Sequence, residues 1–78
     1  MIIKGTRIEL IAAVTLNIKE SGSPEIKVSP ENPCKGTVTS IRYRKYKKIF
    51  IKMITFSPDQ YPKSQFELSM KNFRELKV

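Results

Sequence analysis

From residue 8 to residue 18 the apolar residues fall on every second position. Ile8, Leu10, Ala12, Val14, Leu16 and Ile18 alternate with a mostly polar set that includes Arg7, Glu9, Thr15, Asn17 and Lys19. Period two predicts a β-strand with one buried face. Glu9, Leu10, Ala12 and Ala13 favour a helix, but Ile, Val and Thr dominate and helical periodicity is poorer. The length predicts either one bent strand or two strands meeting near residues 12 and 13. Ser21-Gly22-Ser23-Pro24 then reads as a turn and Ile26-Lys27-Val28 as a short strand. Residues 29–36, SPENPCKG, hold two prolines, an asparagine and a glycine, and read as a loop.

GTVTSIRYR and IFIKMITF are rich in β-branched and aromatic residues and predict a hairpin. The connector KYKK lacks an Asn-Gly or Asp-Gly pair, so a four- or five-residue loop is expected. That register sets Arg44 opposite Ile49, Arg42 opposite Ile51 and Ser40 opposite Met53. The other face carries Ile41, Tyr43, Phe50, Lys52, Ile54 and Phe56, the better core candidate, although Ile49, Ile51 and Met53 are apolar too. A bulge or a strand covered on both sides would explain this. Ser57-Pro58-Asp59-Gln60 suits a helical turn. The last segment supports two readings. Phe66, Leu68 and Met70 alternate as in a strand, with a turn at Lys71-Asn72-Phe73 and a second strand through Leu76 and Val78. Alternatively, Ser64 and Glu67 fit a capping box, and Phe66, Met70 and Phe73 one helical face.

The order of these elements, with Lys35-Gly36-Thr37-Val38-Thr39-Ser40-Ile41, resembles the small SH3-like barrels and the G-x-V-x-x-I core of KOW modules, which Gly36, Val38 and Ile41 match. The expected fold is all-β, a small SH3-like barrel or strongly bent antiparallel sheet of about five strands. The alternative is α+β with a C-terminal helix at 65–76. The resemblance implies binding to nucleic acid, or to a ribosome or polymerase within a transcription or translation complex. Closure into a barrel would also remove exposed strand edges.

Composition narrows the chemistry. The 78 residues allow one small domain. Cys34 is the single cysteine and histidine is absent, which removes a disulfide, the usual zinc ligands and the usual general base. No metal or cofactor is expected. No apolar run approaches the length of a membrane span, and Glu9 interrupts what would be a signal-peptide core, so the expectation is a soluble, cytoplasmic protein. The net charge of +8 is segregated. Residues 32–58 hold seven cations and no acid, while the other 51 residues hold eight cations and seven acids. Such segregation makes a local positive potential that attracts polyanions.

The candidate interface is therefore the basic hairpin: Arg42, Tyr43, Arg44, Lys45, Tyr46, Lys47 and Lys48, with Lys35 and Lys52 alongside. Lysine and arginine on a protruding hairpin can follow a phosphate backbone, and Tyr43 and Tyr46 offer faces on which bases stack. The competing reading is that these cations solubilise an apolar hairpin and protect its edge, with Tyr43 packed in the core. Anionic membrane is disfavoured, since the cations lie on a hairpin and not on an amphipathic helix. A rival function is an accessory protein–protein module of the phage or mobile-element type, using Ile49, Ile51 and Met53 or forming a homodimer through an open edge. A metal-independent ribonuclease built from Lys35, Arg42, Tyr43 and Glu67 is the one enzymatic reading. Cationic neighbours of Cys34 could lower its pKa, but no partner base accompanies it.

Overall fold

The computed structural model describes residues 1–19, 22 and 24–76. In chain order the elements are β1 (Arg7–Leu10), β2 (Val14–Asn17), β3 (Glu25–Val28), β4 (Cys34–Tyr46), β5 (Ile49–Pro58), β6 (Phe66–Ser69), a 3-10 turn (Met70–Asn72) and β7 (Phe73–Glu75). The fold is all-β. Five strands form one antiparallel sheet in the order β6-β5-β4-β1-β7, and β2 and β3 form a separate hairpin.

The period-two segment is two strands, broken at Ala12 and Ala13. Up to Leu10 the chain pairs with β4 on one side and β7 on the other. From Val14 it leaves that sheet and pairs with β3 instead. The alternation survives the break, because Ile8, Leu10, Leu16 and Ile18 are all buried. Part of the turn after β2 lies outside the described residues. The loop after β3 is shorter than expected: Ser29 and Asn32 exchange backbone hydrogen bonds of 3.2 and 3.0 Å, closing a tight turn. β4 can therefore begin at Cys34.

Two further expectations are corrected. Ser57 and Pro58 do not open a helical turn; they remain in β5, paired with Thr37 and Gly36. Pairing with β4 persists there because Gly36 lets the backbones approach. A Cβ on Gly36 would lie 2.5 Å from the Ser57 carbonyl oxygen and 2.7 Å from Cδ2 of Phe56. Nor is there a helix at 65–76, where β6, the 3-10 turn and β7 stand instead. β6 pairs with β5, and β7 with β1, so the tertiary ladders on either side override the capping pattern at Ser64 and Glu67. The second strand begins at Phe73, earlier than expected, and Val78 lies outside the described residues.

The sheet is strongly bent, and its connectivity requires it. Strands about 4.8 Å apart would place β6 and β7 about 19 Å from each other in a flat sheet of five. Yet Ser69 and Phe73 are joined by a three-residue 3-10 turn, which rises only about 2 Å per residue. The two edges must curl toward each other at that corner. The curl wraps the core of Ile8, Leu10, Leu16, Val28, Val38, Ile54, Phe56 and Phe73. Phe56 is fully buried, with the Phe73 ring edge-on at 5.1 Å and the Phe66 ring at 6.2 Å. Burial of each such side chain contributes about 1.5–3 kcal/mol. Glu9, the buried charged residue, is held by the Arg74 guanidinium.

Candidate nucleic-acid interface

β4 and β5 outrun their neighbours. β1 pairs with β4 only from Cys34 to Thr37, and β6 pairs with β5 only from Met53 to Phe56. Residues 43–52 consequently form a free two-stranded ribbon, with pairs Tyr43↔Lys52, Arg44↔Ile51, Lys45↔Phe50 and Tyr46↔Ile49. At about 3.3 Å per residue, the 13 residues of β4 span about 40 Å, matching the longest dimension of the molecule, 41 Å.

The ribbon closes in a two-residue turn at Lys47 and Lys48, tighter than the expected loop. Lys47 makes this possible by adopting a φ of +56°, a left-handed conformation usually supplied by glycine at the first turn position. From Ser40 to Tyr46 each pair is thus shifted by two residues from the expected register, with Arg44 opposite Ile51 instead of Ile49. A shift of two leaves each side chain on its face. β4 carries a bulge, although on β5 Ile49, Ile51 and Met53 keep to the face opposite Ile54 and Phe56. The register slips between Val38 and Ser40, so Thr39 is an extra residue, and its hydroxyl donates across the strands to the Thr55 carbonyl at 3.2 Å. Val38 and Ile41, three apart, then both turn toward the core.

Past the core, the side chains are open to solvent. Tyr43 is 64% exposed, Tyr46 60% and Phe50 68%. Core packing is thereby ruled out for Tyr43. Arg44, Lys45, Lys47 and Lys48 are also exposed. The Lys45 ammonium lies 6.0 Å from the Phe50 ring centroid and that of Lys47 5.7 Å from Tyr46, within cation–π range. The Lys52 ammonium donates to the Ile2 carbonyl at 3.0 Å and sits at the ribbon's base.

Two of the candidate residues lie elsewhere. Arg42 is paired with Glu67 of β6, and its charge is countered. Lys35 sits at the opposite end of β4, eleven residues from Tyr46 and so about 36 Å from the tip. There it lines an open groove of about 630 Å³ with Cys34, Asp59 and Tyr61 among others. Along β4, Lys35 lies about 23 Å from Arg42 and about 26 Å from Tyr43, so although Arg42 meets Glu67, the four residues considered for ribonuclease chemistry do not converge. The cationic neighbours of Cys34 do not decide its chemistry: half-burial pushes its thiol pKa up, and the charge of Asp59 adds to this.

Sequence reasoning passed over Phe50 as a surface ring, because its alternation with Ile54 and Phe56 marks it as core. Its partner Lys45, a cation on the same face, was the available signal that the core had ended. Among the described residues no three His, Cys, Asp or Glu side chains gather as a metal site, and no helix is long and apolar enough to cross a membrane. No family model, curated protein or solved structure matches this chain.

Proposed function

We propose that this protein is a non-enzymatic nucleic-acid-binding protein of the cytoplasm, which contacts the phosphate backbone through the ribbon at residues 43–52. The observation that carries this reading is the ribbon's composition and place. It holds Arg44, Lys45, Lys47, Lys48 and Lys52, no acid, and three exposed rings, and it projects beyond all other strands of its sheet. Solubility alone would be served by mixed charges. The turn adds support. Lysine at a left-handed turn position costs roughly 1–3 kcal/mol that glycine would spare, so a charge is kept there against the backbone's preference.

We also propose kinship with the KOW and SH3-like modules. A first strand that breaks, a Gly36-Val38-Ile41 strand, a tight basic hairpin and a strand–turn–strand ending support it. Backbone contact without a recognition helix gives little sequence specificity. Fluorescence anisotropy with mixed-sequence DNA and RNA tests the reading. Five neutralised phosphates give a slope of log affinity against log salt of about −4. Replacing Arg44, Lys45, Lys47 and Lys48 together by serine abolishes binding and leaves the fold intact. Unchanged affinity in that variant overturns the proposal.

The second reading is a protein-docking module, favoured by Ile49, which is 59% exposed on the face that also carries Ile51 and Met53. It predicts a partner retained after nuclease treatment and lost in Ile49→Ser.

A further inference from the structure

The two faces of the ribbon are unlike. Strand pairing puts Tyr43, Lys45, Phe50 and Lys52 on one face, continuous with Ile41 and Ile54 and hence with the core side of the sheet. Arg44, Tyr46, Ile49 and Ile51 share the other. On the first face Tyr43 stands opposite Lys52 and Lys45 opposite Phe50. The four side chains make a rectangle, with rings at one pair of diagonal corners and ammonium groups at the other.

Two aromatic rings on a core-facing side, each about two-thirds exposed, have no structural role in burying apolar surface. Their spacing points to what they fit. Diagonal neighbours on a two-stranded ribbon are about 7–8 Å apart. A strand within a duplex advances only about 3.4 Å per nucleotide, and its bases are already covered by their neighbours. Rings at twice that spacing suit a strand drawn out so that adjacent bases are unstacked and present free faces. The cations are placed for the phosphates between those bases. Lys52 uses one of its three N–H donors on the Ile2 carbonyl and keeps two. The Lys45 ammonium rests near the Phe50 ring and exchanges that contact for a phosphate when a base takes the ring.

We propose that this face binds single-stranded nucleic acid in preference to duplex, with two successive unpaired bases stacked on Tyr43 and Phe50 and their phosphates held by Lys45 and Lys52. The inference rests on the ribbon being the nucleic-acid interface, and its test separates the two claims. The chain has no tryptophan, so Phe50→Trp installs a single reporter whose emission is quenched when a base stacks on it. The probes are a short mixed-sequence single strand, as DNA and as RNA, and the same strand annealed to its complement. The expected result is quenching by the single strand, tighter binding of it than of the duplex, and roughly tenfold loss of single-strand affinity in Tyr43→Ala. Tyr43→Phe, which keeps the ring, retains that affinity. Equal affinity for both probes, or binding without quenching, overturns the stacking face and leaves backbone binding in place. No binding of either probe removes both.

Discussion

Arg42 and Glu67 reach over β5 and meet through two hydrogen bonds, from Nε to Oε2 at 2.5 Å and from Nη2 to Oε1 at 2.6 Å. This fork-to-fork pair countercharges the cation at the root of the ribbon. It raises the pKa of Arg42 and lowers that of Glu67, an effect to which the charge of Arg44 also contributes. From Tyr43 to the turn and back to Lys52 no carboxylate follows. The pair therefore marks the boundary between a body whose charges are matched and a ribbon whose charges are not.

Removing that counterion should strengthen the interface. Glu67→Gln leaves Arg42 free at the ribbon's edge and adds one cation to the field. Nucleic-acid affinity at low salt should rise, and the salt slope should steepen by about 0.7–0.9. Anisotropy titrations across a salt series measure both. An unchanged slope would mean that Arg42 lies out of reach of the bound strand.

Stability should fall in acid, and the sign follows from two ion pairs. The hydrogen bonds from Arg7 hold the Asp59 carboxyl below its ordinary pKa, as those from Arg42 hold Glu67. Each depressed group contributes stability that is present above the ordinary carboxylate pKa of about 4 and is lost as pH falls through the lower folded value. Urea midpoints should be level above about pH 5 and decline below about pH 4. The Asp59→Asn, Glu67→Gln double variant should show a shallower decline. Both pairs are largely exposed, so the effect is modest.

The alternation of Ile8 through Ile18 made β1 and β2 legible, and the paired alanines marked their break. The hairpin's faces were legible as well, because the two-residue register shift preserves them. Val38 and Ile41 carried the bulge in plain view: an odd spacing between two core residues cannot fit a regular strand. Other features depend on partners far away in sequence. Glu67 lies 25 residues from Arg42, and no local pattern joins them. Lys35 belongs to the acid-free segment but not to its patch, because a long extended strand separates residues that a composition window groups. The thiol of Cys34 has a cationic neighbour in sequence, yet burial and Asp59 decide its pKa.

Gly36 tests the close approach that keeps β4 and β5 paired to their ends. In Gly36→Ala the new methyl meets the Ser57 carbonyl oxygen, a backbone atom that cannot swing aside. The strands must separate or the Phe56 ring must move within a filled core. The expected loss is about 1–3 kcal/mol, with Tm falling about 4–8 °C for each kcal/mol. Thermal unfolding by circular dichroism measures it, and an unaltered Tm would show that the strands do not approach this closely.

Lys47 allows stability and binding to be moved in opposite directions. Its φ of +56° is strained for a side chain with a Cβ and relaxed for glycine. Lys47→Gly should therefore stabilise the fold by about 0.5–1 kcal/mol, after the greater freedom of glycine in the unfolded chain is set against the relief. The same change removes one cation from the tip. Affinity for nucleic acid should drop and the magnitude of the salt slope should fall by about 0.7–0.9. If the lysine served only to solubilise the hairpin, the variant would gain stability and lose nothing in binding. Urea unfolding and a salt-dependent titration on one preparation distinguish these outcomes. A gain in stability coupled to a loss of affinity is the signature of a residue placed for its charge at a turn whose geometry favours another.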